Sequence, residues 1–189
     1  MSLFIGKLIL TVPVAYALVY PLLNPAADAG VFRELNAIGP TGGVVVTLVF
    51  LAAVFLYCRD LQRSLTLVKP ESRAASPRSV WLMFVLPYNF IEDFFIVVHV
   101  AQSLRREARR NEALRPFRSF GLVSGLGWCT AQIVSLIPHE LGAAAGLFAL
   151  PLWGVHWRLI RMTNAALAKA ACDAQSPLDV ATRSPGNST

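Results

Sequence analysis

Apolar residues in this chain come in long runs separated by short basic stretches. That is the pattern of helices that cross a bilayer, not of elements covering a soluble core. Four runs reach the roughly 17–25 residues that about 30 Å of hydrocarbon demands. They predict spans over about residues 3–23, 42–58, 120–137 and 141–157. The first, Leu3 to Leu23, is interrupted only by Lys7 and holds Pro13 and Pro21, and the fourth holds Pro151. Prolines are tolerated in such helices because neighbours re-satisfy the freed carbonyls.

A fifth run, Val80 to Val100, contains Asn89, Glu92, Asp93 and His99. Hydropathy does not decide its fate. Two acids at mid-bilayer cost about 5–7 kcal/mol, and the thirteen Leu, Ile, Val and Phe of this run return about 4–8 kcal/mol. The flanks do decide. Arg59, Arg63, Lys69, Arg73 and Arg78 precede the run, and Arg105, Arg106, Arg109, Arg110, Arg115 and Arg118 follow it. If the run does not cross, both basic loops share the inner face with Lys7, Arg158, Arg161, Lys169 and Arg183. Sixteen of the 17 Lys and Arg then lie on one side, leaving only Arg33 outside. If it does cross, the same charges split 11 to 6.

The fold class expected is therefore an all-α integral membrane protein: a four-span helical bundle with an additional interfacial or re-entrant amphipathic helix. The membrane bundle covers residues 1–172, with the non-spanning segment at about 80–112. Both termini are expected in the cytoplasm, and the short loops point to a bacterial inner membrane. From Tyr88 onward, Glu92, His99, Ser103, Arg106 and Arg110 share one helical stripe, while Phe90, Ile91, Phe94, Val97, Val98 and Ala101 lie opposite. Such a helix either lies in the inner interface with its apolar face in lipid, or dips in and returns, turning at Pro87–Asn89.

Composition agrees with this reading. Hydrophobic residues make up 55% and charged residues 15%, with mean hydropathy +0.54, against about 25% charged in a soluble domain. The net charge of +6 is accounted for by the span flanks, so the expected partners are membrane lipids, not nucleic acid. Residues 8–23 followed by Ala27-Asp28-Ala29 have the outline of a signal peptide. The apolar run is long and its basic region has a single Lys, so it is expected to stay as a span. Residues 173–189, rich in Ser, Thr, Pro and Asp, are expected to form a disordered cytoplasmic tail, where the Asn187-Ser188-Thr189 sequon would go unmodified.

Candidate chemistry is sparse. Acids inside a membrane segment are costly and face a partner or a cavity, so Glu92, Asp93, His99 and Asn89 form the candidate polar cluster. They read as the polar face of an interfacial helix, as a structural ion pair with Arg106, Arg158 or Lys7, or as a proton or substrate site. Arg105, Arg106, Arg109, Arg110, Arg115 and Arg118 are candidates for anionic headgroups, each contributing about 1 kcal/mol near such a surface. Gly121, Gly125, Gly142 and Gly146 have the spacing of helix-packing motifs, and Gln132 and Ser135 are placed to bond across the last two spans. Trp153, His156, Trp157, Arg158 and Arg161 compose an aromatic-basic belt.

No metal or cofactor is expected. Cys58, Cys129 and Cys172 lack ligand spacing, and there is no HExxH, CxxC, GxSxG, SxxK or Walker sequence. Only His99 with His156 could share a metal, and only in the re-entrant geometry. The leading functional expectation is a non-enzymatic accessory, assembly or regulatory subunit with a membrane-protein partner or a homo-oligomeric form. The alternatives are a small transporter or channel component using Glu92, Asp93 and His99, and a lipid-modifying enzyme at the inner leaflet.

Overall fold

The computed structural model describes residues 2–24, 38–137 and 139–182. Arg33, Arg183, the Ala27-Asp28-Ala29 site and the sequon lie outside them. The described residues are all-helical. Helix α1 is Ser2–Leu23 and α2 is Gly39–Leu67, followed by 3-10 turns at Pro70–Ser72 and Pro77–Phe84. Then come α3, Asn89–Ala108, a 3-10 turn at Glu112–Leu114, α4, Leu122–Val134, and α5, Glu140–Thr182.

Three of these helices, α1, α2 and α5, are long and apolar enough to cross a membrane. The expected third span is a shorter apolar helix of 13 residues, about 20 Å long. Its start is set by Gly121, the residue before the helix, whose φ of +76° lies in the left-handed region. Its end is set by turns at Ser135 and Leu136. Helix α2 runs past the expected limit at 58 to Leu67, because Leu61, Ser64, Leu65 and Val68 continue the buried face. Helix α5 runs on to Thr182, into the stretch read as tail, and residues 183–189 lie outside the described set.

Packing places these helices in one register. Helices α2 and α5 run in the same sense: Phe50 and Tyr57 meet Trp153, and Asp60 and Ser64 meet Asn164. Helix α4 returns against α5, with Gly121 beside His156, Gly127 beside Leu152 and Gly146 beside Ser135. The stretches Gly39–Tyr57 and Glu140–Trp157, each about 26 Å by helical rise, therefore stand side by side with α4. Most of their large apolar side chains face outward, including Val44, Val45, Leu48, Val49, Leu51, Leu147, Phe148 and Val155. An apolar surface of that extent is what lipid or partner helices cover. The packed core lies toward the other end, around Tyr57, Leu61, Leu65, Val97, Val100, Leu104, Leu114 and Ile160.

Residues 70–108 form a hairpin inserted among these helices. The chain leaves α2 at Val68 and climbs back along it through Pro77–Phe84, so that Val80 and Met83 reach Cys58. It turns at Val85–Tyr88, through a cis Leu86–Pro87 bond, and descends as α3. The two ends of the hairpin meet. Ala74 N–H donates to Ser103 Oγ at 2.9 Å, and Lys69 N–H donates to Glu107 Oε2 at 3.3 Å. Arg73 caps α2 by donating to the carbonyls of Val68 and Thr66 at 3.0 and 3.1 Å. Both basic flanks of the acidic run thus stand at the same end of the molecule.

Helix α3 differs from the interfacial helix that its stripe predicts. Its polar stripe is only partly open to water: Glu92 and Ser103 are buried and His99 half-buried, while Arg106 and Arg110 are exposed, and Ile91, Val97 and Ala101 are buried on the opposite stripe. Helix α1 packs on α3, with Phe4 by Tyr88 and Lys7 by Glu92. That order makes the two run in the same sense where they touch, whereas a first span rising from the basic end would oppose α3.

Only two of the four glycines act as close-packing positions between helices. A Cβ on Gly125 would lie 2.5 Å from Val97 Cγ1 and 2.9 Å from His156 Cε1. One on Gly121 would lie 2.5 Å from His156 Nδ1. Gly142 is crowded by the Ile137 carbonyl of its own turn, and Gly146 meets only Ser135 Cβ at an ordinary 3.5 Å. Gly125→Val should lower stability by about 1–3 kcal/mol through overpacking, read as an earlier unfolding midpoint in a detergent titration. Gly146→Ala should stay within about 0.5 kcal/mol.

Candidate functional site: a buried polar layer at the hairpin tip

The tip of the hairpin brings four helices to one layer. Asn89 and Asp93 lie one turn apart on α3, so their side chains share a face. Helix α4 runs against α3, with Gly125 at Val97 and Cys129 within electrostatic reach of Asp93. Extending that register by one turn brings Gln132 to Asn89. From α2 come Tyr57 and Cys58, both within electrostatic reach of Asp93. From α5 come Trp153 and His156, whose rings meet the Tyr57 ring at 5.6 and 5.9 Å, near edge-on. Trp128 and Trp157 complete the aromatic wall around Tyr57.

Asp93 and Glu92 are neighbours in sequence with opposite situations. Glu92 accepts from Lys7 Nζ at 2.6 Å, and the two side chains are 6% and 11% exposed. The same ammonium sits 3.9 Å over the Phe95 ring, a cation–π contact. Asp93 is 2% exposed, and its Oδ1 has no protein partner. Burial pushes its carboxyl well above the usual carboxylate range, and the adjacent Glu92 charge adds to the rise. Burial lowers the His99 imidazole, as does Lys7, against a smaller opposing pull from Glu92.

Six buried side-chain atoms among the described residues lack a hydrogen-bond partner. They are Tyr57 Oη, Asn89 Oδ1, Asp93 Oδ1, Gln132 Oε1, Trp153 Nε1 and His156 Nε2. Asn89 and Asp93 share a face of α3, Gln132 follows Cys129 by three residues on α4, and the Trp153 and His156 rings meet Tyr57. Each such atom costs about 1–3 kcal/mol when left unpaired. His156 is held by its other nitrogen, Nδ1, which is 2.8 Å from the Gly121 carbonyl and donates to it.

Other expected residues fall elsewhere. Arg105, Arg106, Arg109, Arg110, Arg115 and Arg118 are exposed at the basic end, and the Glu112–Arg115 pair at 2.7 Å is open to solvent. On the same end of α5, Trp157, Arg158, Arg161 and Met162 line an open groove. The belt expected there is split, because Trp153 and His156 are core residues while Arg158 and Arg161 are exposed. Ser135 Oγ bonds the Gln132 carbonyl of its own helix and not α5. Among the described residues no three His, Cys, Asp or Glu converge as metal ligands do.

Sequence reasoning missed Tyr57, Gln132 and Trp153 as members of the site. It also missed the network in which Asn164 joins Ser64 and the Asp60 carbonyl while Trp157 donates to Asp60 Oδ2 at 2.6 Å. A polar residue every turn along 57–64 is the signal that points there. No family model, curated protein or solved structure matches this chain.

Lys7→Met or Glu92→Gln alone should each destabilise by about 3–5 kcal/mol, because each leaves a buried partner uncompensated. The Lys7→Met/Glu92→Gln double variant should recover most of that loss, and the unfolding midpoints of the four proteins give the coupling directly. Asp93 carries the opposite pH signature to a salt-bridged acid. Its folded form keeps the proton above the unfolded pKa, so its contribution is greatest at low pH and is lost as pH rises from there through the raised value. Asp93→Asn should flatten that decline in an unfolding series across pH.

Proposed function

We propose that the chain is an integral membrane protein in a bacterial inner membrane, with α2, α4 and α5 as crossing segments and a re-entrant hairpin at residues 70–108, while α1, though apolar enough to cross, is docked parallel to α3. It works as a non-enzymatic accessory, assembly or regulatory subunit, through helix and lipid contacts. The observation that carries this reading is the joining of the hairpin's ends, Ala74 to Ser103 and Lys69 to Glu107, at the basic end. With the basic end in the cytoplasm, the hairpin's limbs pack on α2 and α4, and its tip, Phe84 to Leu86, is left exposed for a partner helix to cover, as irregular backbone at depth requires.

Contacts are the natural mode of action for such a chain. Helix α1 packs on α3 and leaves Leu3, Ile9, Val12, Tyr16 and Leu23 exposed. The upper part of α2 is likewise open on most of its circumference. The exposed arginines of residues 105–118 and the Trp157–Arg161 groove face one plane, suited to anionic headgroups. A second reading, a small transporter or channel component, draws support from the unpartnered atoms around Asp93, since polar groups at depth line pathways.

Single cysteines at the exposed positions Glu71 and Glu112, in a background lacking the native thiols, should both react from the cytoplasmic side with a membrane-impermeant maleimide. Labelling on opposite sides would rule out the hairpin placement. Cross-linking in cells followed by digitonin extraction should recover an assembly larger than the monomer, and a lone monomer would remove the contact-based reading.

A further inference from the structure

We propose that Asp93 is the centre of a binding site for one monovalent alkali cation, with Asn89, Gln132 and Tyr57 supplying further oxygen atoms. The inference deepens the transporter reading by naming a substrate class. Binding and transport can nonetheless be separated, as the test below shows.

Charge counting comes first. Glu92 has its cation in Lys7. Asp93, one residue on, has no Lys, Arg or His nitrogen within 4.0 Å among the described residues. A buried carboxylate without a counter-charge costs several kcal/mol, so this group takes up either a proton or a cation. The groups within electrostatic reach of it are Glu92 on α3, Tyr57 and Cys58 on α2 and Cys129 on α4, with Lys7 beyond Glu92 on α1 and His156 of α5 behind the Tyr57 ring. The only positive charge in that set is already engaged. The α3 dipole adds little, because its effect fades within the first turn and Asp93 lies beyond it.

Ligand chemistry comes second. Hard cations are held by oxygen, and the orphaned oxygens here are a carboxylate, two amide carbonyls and a phenol. Asp93 and Tyr57 are 2% and 0% exposed, so neither oxygen is served by bulk water. A divalent ion would leave a net positive charge in the layer, since only one carboxylate is free. An anion would meet that carboxylate. One positive charge balances the site.

The test uses infrared difference spectroscopy on the full chain in lipid nanodiscs at neutral pH. Choline chloride is exchanged for sodium, potassium or lithium chloride at constant ionic strength. The expected result is loss of a protonated-carboxyl stretch and gain of carboxylate bands with at least one of these ions, absent in Asp93→Asn. Asn89→Ala and Gln132→Ala should each weaken the apparent affinity about tenfold, and they serve if the Asp93 variant does not fold. A carboxyl band indifferent to all three ions would overturn the proposal, leaving Asp93 as a proton carrier only. Unchanged affinity in both amide variants would overturn the oxygen set. Ion binding without flux in reconstituted vesicles would uphold the site and sink transport.

Discussion

Everything in this molecule is arranged around the closure of the residue 70–108 hairpin. Two hydrogen bonds from backbone N–H groups to Ser103 and Glu107 tie its ends together. Because the ends are tied, the two limbs rise together, Pro77–Phe84 along α2 and α3 against α2 and α4, while the tip at Phe84–Leu86 stays exposed. Gly125 makes room for α3: without a side chain there, Val97 of α3 and His156 of α5 can both approach α4. A local capping decision at one end of the protein thereby sets which polar groups are buried at the other.

The burial that results is uneven in quality. At the basic end, buried polar groups are well served: Ser64, Asn164, Asp60, Ser103 and Glu107 each have partners. One or two turns deeper, around Asp93, they are not. The contrast within one core separates a paired polar network from a set of unpartnered groups. Structural polar groups are selected in pairs, whereas the groups around Tyr57 are satisfied by nothing in the chain itself.

Much of the fold is legible in the sequence because span length and charge bias are strong physical signals. The runs 3–23, 42–58 and 141–157 correspond to α1, the upper part of α2 and the upper part of α5, and the chain reverses close to Pro87–Asn89. What was not legible is which helices meet. Periodicity in α3 separates two stripes, but the polar one is covered at Glu92 and Ser103 and open only at Arg106 and Arg110, so burial of the acids could not be read from the pattern. The shortness of α4 depends on a left-handed Gly121, which GxxxG spacing alone conceals. For the site, Lys7 stood among the candidate partners of Glu92, but the choice over Arg106 or Arg158 needs the docking of α1. Tyr57 and Trp153 read as ordinary apolar-span aromatics until four helices place them beside Asp93.

One element has a mechanical implication. Helix α5 is 43 residues long and continues unbroken from the apolar layer past the basic end. Beyond Leu167, where it leaves the packed core, it runs on about 22 Å by helical rise. A rod of that kind acts as a lever: a tilt of only 10° where it leaves the core would swing its far end by about 4 Å. A small change in how α5 seats on its neighbours would thus be converted into displacement at a distance.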